Sequence, residues 1–243
     1  MLPIYKREMY AYFTSPIGYT FVAVLLAISG ALFSVTTVWM AIWMETKTIS
    51  VSAYFTIMLF TYTILIPLLT MKLFSEERKT KTEQILLTSP VSIFGIVFAK
   101  FSAAFTLYAG TFTISCIINY FTLSSVAGKS PVLSQFVGNT VGIILIGAAF
   151  IAVGVFMSSL TENQVIAAVT TFGAILVMLL LWLLTSSINN PVLRNIVKWF
   201  SVLDRFAYFT NGIFSVPAIV YFFSLALVFL FLTTRIYEMR RWN

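Results

Sequence analysis

A run of charge interrupts an otherwise apolar chain. The segment Lys72-Leu73-Phe74-Ser75-Glu76-Glu77-Arg78-Lys79-Thr80-Lys81-Thr82-Glu83-Gln84-Ile85-Leu86-Leu87-Thr88-Ser89-Pro90 holds four basic and three acidic residues, a net charge of +1. A lipid-binding juxtamembrane patch would be strongly basic, so this balance suits a solvated helix or a protein-docking surface better. Glu77 with Lys81 and Lys79 with Glu83 stand at i,i+4 spacing, which predicts a helix persisting beyond the membrane, and Thr88-Ser89-Pro90 predicts its stop. Glu76, Glu77 and Arg78 are expected to lie outside the hydrocarbon, so that reversing all three charges spares insertion. On the residues alone, an ordinary solvated loop stays open beside a docking surface. A second polar knot, Ser158-Ser159-Leu160-Thr161-Glu162-Asn163-Gln164, places Thr161 and Gln164 at capping-box spacing and predicts a tight turn.

Other chemistry lacks its residues. The chain has no histidine, and its one cysteine, Cys116, lies in an apolar run, so neither an intrachain disulfide nor a redox or zinc site has support. The acidic residues fall in loops and at span ends, leaving no acid–base pair or metal cluster at mid-membrane. No GxxxxGK[ST] phosphate cradle is present. The chain is therefore expected to carry no cofactor and, alone, to hydrolyse no ATP. Lys100, Glu162 and Arg235 are expected to snorkel to the membrane boundary rather than mark an ion path.

The elements that position the two polar knots are membrane helices. Sixty per cent of residues are hydrophobic, 9% are charged and mean hydropathy is +0.97, whereas a soluble domain carries about 25% charged residues. An all-α polytopic protein follows, with one transmembrane domain over 1–243 and spans near 17–41, 52–72, 98–122, 135–159, 164–186 and 213–235. Each apolar run suffices for a hydrocarbon core about 30 Å thick. Met1 to Thr20 is too polar and aromatic for a signal-peptide core and is expected to be retained.

Orientation follows from the basic residues. Lys6, Arg7, Lys72, Arg78, Lys79, Lys81, Lys100, Arg235, Arg240 and Arg241 sort to one side, while Lys47, Lys129, Arg194, Lys198 and Arg205 sort to the other. The larger set is expected in the cytosol, with both termini, in the plasma membrane. Topology thus explains the basic excess, and nucleic acid is not expected as a partner. Trp39, Trp43, Trp182 and Trp242 fall near span ends, where interface anchoring is expected.

Three further segments carry expectations. Ile4 to Phe13 mixes charges with aromatics before Thr14-Ser15-Pro16-Ile17-Gly18 breaks the pattern, which predicts an N-terminal interfacial helix, either an anchor or a lever. Gly138 and Gly142 form a GxxxG in the fourth span, for packing within the chain or for a dimer seam. Between the fifth and sixth spans, Ser186 to Gly212 is too polar to cross and too apolar for a solvated linker. An outer interfacial or re-entrant helix pair is expected there, with Asp204 and Arg205 facing water or a partner. Thr56, Thr61 and Thr63 on the second span are expected to bond their own helix backbone.

The order of these segments resembles the permease subunits of type-two ABC exporters, in particular the gliding-motility-type branch of bacteria. The residues that carry it are Lys6-Arg7-Glu8 through Ser15-Pro16-Ile17-Gly18-Tyr19, Phe74 to Pro90 with Val91-Ser92, Leu160 to Gln164, and Asp204-Arg205-Phe206 to Arg240-Arg241-Trp242. The chain departs from the pattern at Lys81, where relatives carry glycine, and at Gln84, where they carry glutamate. The resemblance implies a six-helix half of a translocation pathway that pairs with a second permease copy or paralogue. It also implies that separate cytosolic ABC ATPase subunits, which carry the ATP and Mg, drive the pair, with membrane lipid and an auxiliary substrate-handling membrane protein as further partners. The coupling segment would be 73–90, with Phe74, Glu76, Glu77, Arg78, Lys81, Thr82, Glu83 and Gln84 as contacts and Thr161, Glu162 and Asn163 as a second contact. The alternatives are a membrane anchor or mechanical transmitter that uses an ATPase without moving cargo and, disfavoured by the missing buried charges, a secondary carrier or channel.

Overall fold

The computed structural model describes residues 1–43, 50–84, 91–127, 131–188 and 190–242. Among them the chain is all helical, and six helices are long and apolar enough to cross a membrane: Gly18–Trp43, Ser52–Lys79, Ile93–Val126, Leu133–Leu160, Gln164–Thr185 and Val216–Arg241. All six expected spans are present. The expected stop at Thr88-Ser89-Pro90 and the placements of Lys47 and Lys129 lie outside the described residues, as does the side chain of Trp242.

Helix α1 (Leu2–Thr14) precedes the first span and ends where Ser15 turns extended ahead of Pro16, as a residue before proline must. Gly18 sits under that turn, because a Cβ there would stand 2.1 Å from the Tyr12 carbonyl oxygen. Helix α2 (Pro16–Phe33) passes through a π-helical turn at Ser34–Val38 into α3 (Trp39–Trp43). No sequence signal announced that turn. Helix α4 (Ser52–Thr70) gives way at Met71–Phe74 to the short α5 (Ser75–Lys79). An elbow beyond the span is present as expected, with a break at Met71–Phe74 in place of an unbroken helix.

The remaining helices are α6 (Ile93–Ala127), α7 (Leu133–Leu160), α8 (Gln164–Ser187), α9 (Pro191–Phe200), α10 (Val202–Thr210) and α11 (Val216–Trp242). Helix α8 starts on Asn163, whose side chain accepts from the Val165 amide at 2.9 Å, while Thr161 Oγ1 accepts from the Asn163 amide at 3.1 Å. The tight turn expected there forms, but an asparagine cap replaces the expected capping box.

Burial ranks the spans. In their most apolar stretches α4 and α7 are 61% buried, while α8 is 22% buried, so α4 and α7 form the centre and α8 the rim. A buried apolar cluster runs through the bundle, and Tyr54, Tyr62, Tyr108, Phe112 and Phe150 are among its largest members. The small residues of α7 create room for this packing. Gly138 and Gly142 lie against the backbone and ring of Phe209 from α10, so the GxxxG seam is filled from within the chain.

Helices α9 and α10 form the expected pair between the last two spans. Asn190 caps α9 through the Val192 amide at 3.0 Å, and Ser201 caps α10 through the Asp204 amide at 3.3 Å. Helix α10 buries Val202, Phe206 and Phe209. Arg205 corrects the expectation that it faces water or a partner: it is buried, its guanidinium 4.7 Å from the Trp199 ring centre and 5.1 Å from that of Tyr221. Stacking between two aromatic faces replaces hydration. Thr56 and Thr61 bond their own helix as expected, at 2.9 and 3.1 Å, whereas the buried Thr63 hydroxyl has no partner.

Gly147 supplies the test of this packing. Its absent Cβ would fall 2.2 Å from the Tyr108 ring, which is fixed by a 2.8 Å bond from its hydroxyl to the Ile143 carbonyl. Gly147→Ala should therefore cost about 1–3 kcal/mol as over-packing. Gly110→Ala, where nothing lies within 4 Å, should be neutral or stabilising by up to about 1 kcal/mol through helix propensity. Thermal unfolding of both variants in one detergent gives the comparison, and equal melting temperatures would contradict the packing.

Candidate functional site

Both termini come to the bundle end that carries α5: Arg7 reaches Glu77, and Arg240 reaches Glu83 and the Ser159 carbonyl. The charged run is there held between two ionic networks.

The first network centres on Lys100, near the start of α6. Its side chain is 1% exposed, and its ammonium meets Glu8 Oε1 at 3.1 Å, Glu77 Oε1 at 2.9 Å and the Leu73 carbonyl at 2.7 Å. The ammonium donates hydrogen bonds to Glu8 and the Leu73 carbonyl and forms an ion pair with Glu77. Phe74 lies with its ring centre 5.1 Å from the same nitrogen. Arg7 closes the network, with Nη2 at 2.7 Å from both Glu8 and Glu77. Burial opposes ionisation of Glu8, yet the charge of Lys100 and hydrogen bonds from Arg7 and Lys100 hold its pKa below the usual carboxylate value. Burial likewise opposes the charge on Arg7, and the two carboxylates outweigh it, raising its pKa. Lys100 is thus enclosed by partners rather than snorkelling to water as expected.

The second network lies on the other flank. Arg78 meets Glu162 at 3.0 Å and Glu83 at 3.7 Å, and Arg240 meets Glu83 at 3.3 Å while donating to the Ser159 carbonyl at 2.9 Å. Beneath it, Ser158 Oγ accepts from the Phe74 and Ser75 amides at 3.1 and 3.2 Å and donates to the Met71 carbonyl at 3.1 Å. One hydroxyl of α7 thus satisfies two amides and one carbonyl at the helix break. Phe74 packs on Tyr237 of α11, ring centres 4.7 Å apart.

The structure therefore divides the expected contact residues. Phe74 is buried, and Glu77, Arg78, Glu83 and Thr161 are partly buried, the first four turned into the bundle by the contacts above. Glu76, Lys81, Thr82, Gln84, Glu162 and Asn163 are exposed, with Lys79 and Thr80 beside them. Charge reversal at Glu77 and Arg78 would thus break internal pairs, a cost to the fold that the expectation of spared insertion leaves out. The two i,i+4 pairs expected along this segment are not formed. Glu77 and Glu83 are drawn into the networks, and the i,i+4 pair present is Lys72 with Glu76, at 3.9 Å.

Lys81 explains why the extension turns. Its φ is +59°, the one positive value at a non-glycine residue among those described, in the left-handed region that favours glycine. Glycine stands at this position in the pattern the sequence resembles, so the departure there is a backbone conflict. Sequence reasoning missed Arg7, Glu8, Lys100, Ser158 and Arg240 as partners. Lys100, as a lone cation inside an apolar run, was the one signal that could have found them.

Residues 10–241 match the family model described as ABC-2 family transporter protein. No curated protein matches the chain.

Two outcomes follow from the geometry. Lys100→Met should destabilise the protein by about 3–5 kcal/mol, since two largely buried carboxylates lose their shared, fully buried cation. Adding Glu8→Gln should recover part of that loss, and thermal unfolding of the single and double variants reads both effects. Lys81→Gly should stabilise by about 0.5–1 kcal/mol, the left-handed strain removed exceeding the chain entropy added. Lys81→Ala, which keeps the strain, should show no such gain, and an equal gain in both would place the cause in the charge.

Proposed function

The chain belongs to the ABC-2 family of transporter proteins, as a membrane-embedded permease component rather than a nucleotide-binding one, and on that premise we propose that it is half of an exporter. In this proposal the exporter is of the gliding-motility-type branch, two permease copies or paralogues enclose the pathway, and separate ATPase subunits drive it from the cytosol. The end that carries α5 and both termini faces the cytosol, as the distribution of basic residues supports. ATP and Mg stay on the ATPase, and an auxiliary substrate-handling membrane protein completes the assembly.

One observation carries the proposal. The segment after α4 has an exposed outer face and an inner face ion-paired to four other elements. Force applied to Glu76, Lys79, Lys81, Thr82 or Gln84 passes through Glu77 to α1 and α6. Through Arg78 and Glu83 it passes to the α7–α8 turn and α11. A docking patch on a loose loop would dissipate such a push, whereas a clamped one moves several spans together and can bias a bistable bundle. Glu162 and Asn163, at the α7–α8 turn, extend the same face.

Docking is tested on residues that carry little of the fold. Glu76 makes one exposed pair with Lys72, worth about 0–1 kcal/mol, so Glu76→Lys with Lys79→Glu should leave membrane level and melting temperature unchanged. The reversed charges should cut co-purification of the ATPase subunit by tenfold or more, since like charges across an interface cost about 1.4 kcal/mol or more per decade of affinity lost. Undiminished co-purification and ATPase stimulation in the double variant would overturn the docking assignment.

A further inference from the structure

Between α1 and the α4–α5 elbow lies a cavity of about 360 Å³, within the size range of ligand pockets. Six charged residues line it: Arg7, Lys72 and Lys100 of one sign, Glu8, Glu76 and Glu77 of the other. A balanced wall does not favour an anion or a metal ion, and suits a ligand that carries both charges.

The groups available to such a ligand are not evenly placed. Lys100 is committed to its three partners. Arg7 bonds Glu8 and Glu77 through Nη2 and is half exposed, and Lys72 meets Glu76 only at 3.9 Å. These two cations can receive a phosphate. On the acidic side Glu77 Oε2 is buried with no hydrogen-bond partner, an acceptor in want of a donor. Glu76 stands beside it, half exposed.

An apolar track leads away from the cavity. Phe60, Ile64 and Leu68 on α4 are exposed and precede Lys72 at intervals of four residues, so they form one stripe ending at the charged wall. Tyr12 and Leu69 give the cavity an apolar side.

We infer that this cavity holds the headgroup of a zwitterionic phospholipid whose amine retains its protons, a phosphatidylethanolamine, with its acyl chains along the Phe60–Leu68 stripe. The phosphate meets Arg7 and Lys72, and the ammonium donates to Glu77 Oε2 and Glu76. A trimethylated headgroup has no N–H to give Glu77. An anionic lipid without an amine leaves that oxygen unpaired and adds negative charge beside three carboxylates. The site depends on neither an ATPase nor a cargo, so it stands or falls apart from the function proposed above.

The test varies the lipid on the intact chain. The detergent-purified, delipidated protein is offered equal amounts of phosphatidylethanolamine, its mono- and dimethyl forms, phosphatidylcholine and phosphatidylglycerol, and retention is read by native mass spectrometry. Soluble glycerophosphoethanolamine is a separate arm, and Lys72→Gln is compared with the parent protein. The expected result is phosphatidylethanolamine held about tenfold better than phosphatidylcholine, the size of one charge-assisted hydrogen bond, with retention falling along the methylation series. Lys72→Gln should lower retention of phosphatidylethanolamine without moving the lipid-free melting temperature, and the soluble headgroup should not bind at the same concentration. Equal retention across the methylation series, a preference for phosphatidylglycerol, or retention unchanged in Lys72→Gln would overturn the site. Binding of the soluble headgroup as tight as that of the lipid would overturn the lipid as its occupant.

Discussion

The arrangement of this protein depends on one buried ammonium. Lys100 is 1% exposed, and a charge taken out of water costs several kcal/mol unless partners replace its hydration. Three oxygens do so, from α1, from the turn after α4 and from the start of α5. None of the three segments can move far without stranding the charge. The same requirement fixes Arg7, because two carboxylates on one ammonium leave an excess of negative charge that a second cation must offset. Glu8 remains ionised under these conditions, its burial outweighed by the cations around it.

The second network makes the elbow a part of the bundle rather than an appendage. A break such as Met71–Phe74 leaves amides and carbonyls without helical partners, and in this location water cannot be counted on to supply them all. Ser158 supplies partners for two amides and one carbonyl from α7, and Arg240 covers the Ser159 carbonyl from α11. The segment is thereby tied on one flank to α1 and α6 and on the other to α7, the α7–α8 turn and α11. Glu76, Lys79, Lys81, Thr82 and Gln84 stay on the exposed side of the segment.

The spans were legible because a hydrocarbon core imposes length and composition directly, and no pairing needs to be known to read them. The helix pair after α8 was legible for a similar reason, in that Ser186 to Gly212 is too polar to cross and too apolar for a solvated linker. The charged run was not. At i,i+4 spacing Glu77 points to Lys81 and Glu83 to Lys79, each offering a few tenths of a kcal/mol. The structure prefers Lys100 and Arg7 for the first, and Arg78 and Arg240 for the second. Partners as far apart as Glu83 and Arg240 leave no mark in a local window, and a partly buried network outweighs an exposed pair once the fold has brought it together. Arg205 escaped for the same reason, since Trp199 is local but Tyr221 belongs to the next span.

Polar groups inside the spans complete the physical picture. Ser29, Tyr54, Ser115 and Asn119 form a buried cluster joining α2, α4 and α6: Ser29 bonds Tyr54 at 2.6 Å, contacts Ser115, and accepts from the Asn119 amide at 3.2 Å. These groups carry no charge, and in a region without water each is valuable for finding the others. Such a cluster fastens three helices but offers no titrating relay through which an ion gradient could do work. The charged side chains that could respond to an outside force gather instead at one end, around Lys100 and Arg78. In the function proposed above, work would enter the bundle at that end and travel through packed helices.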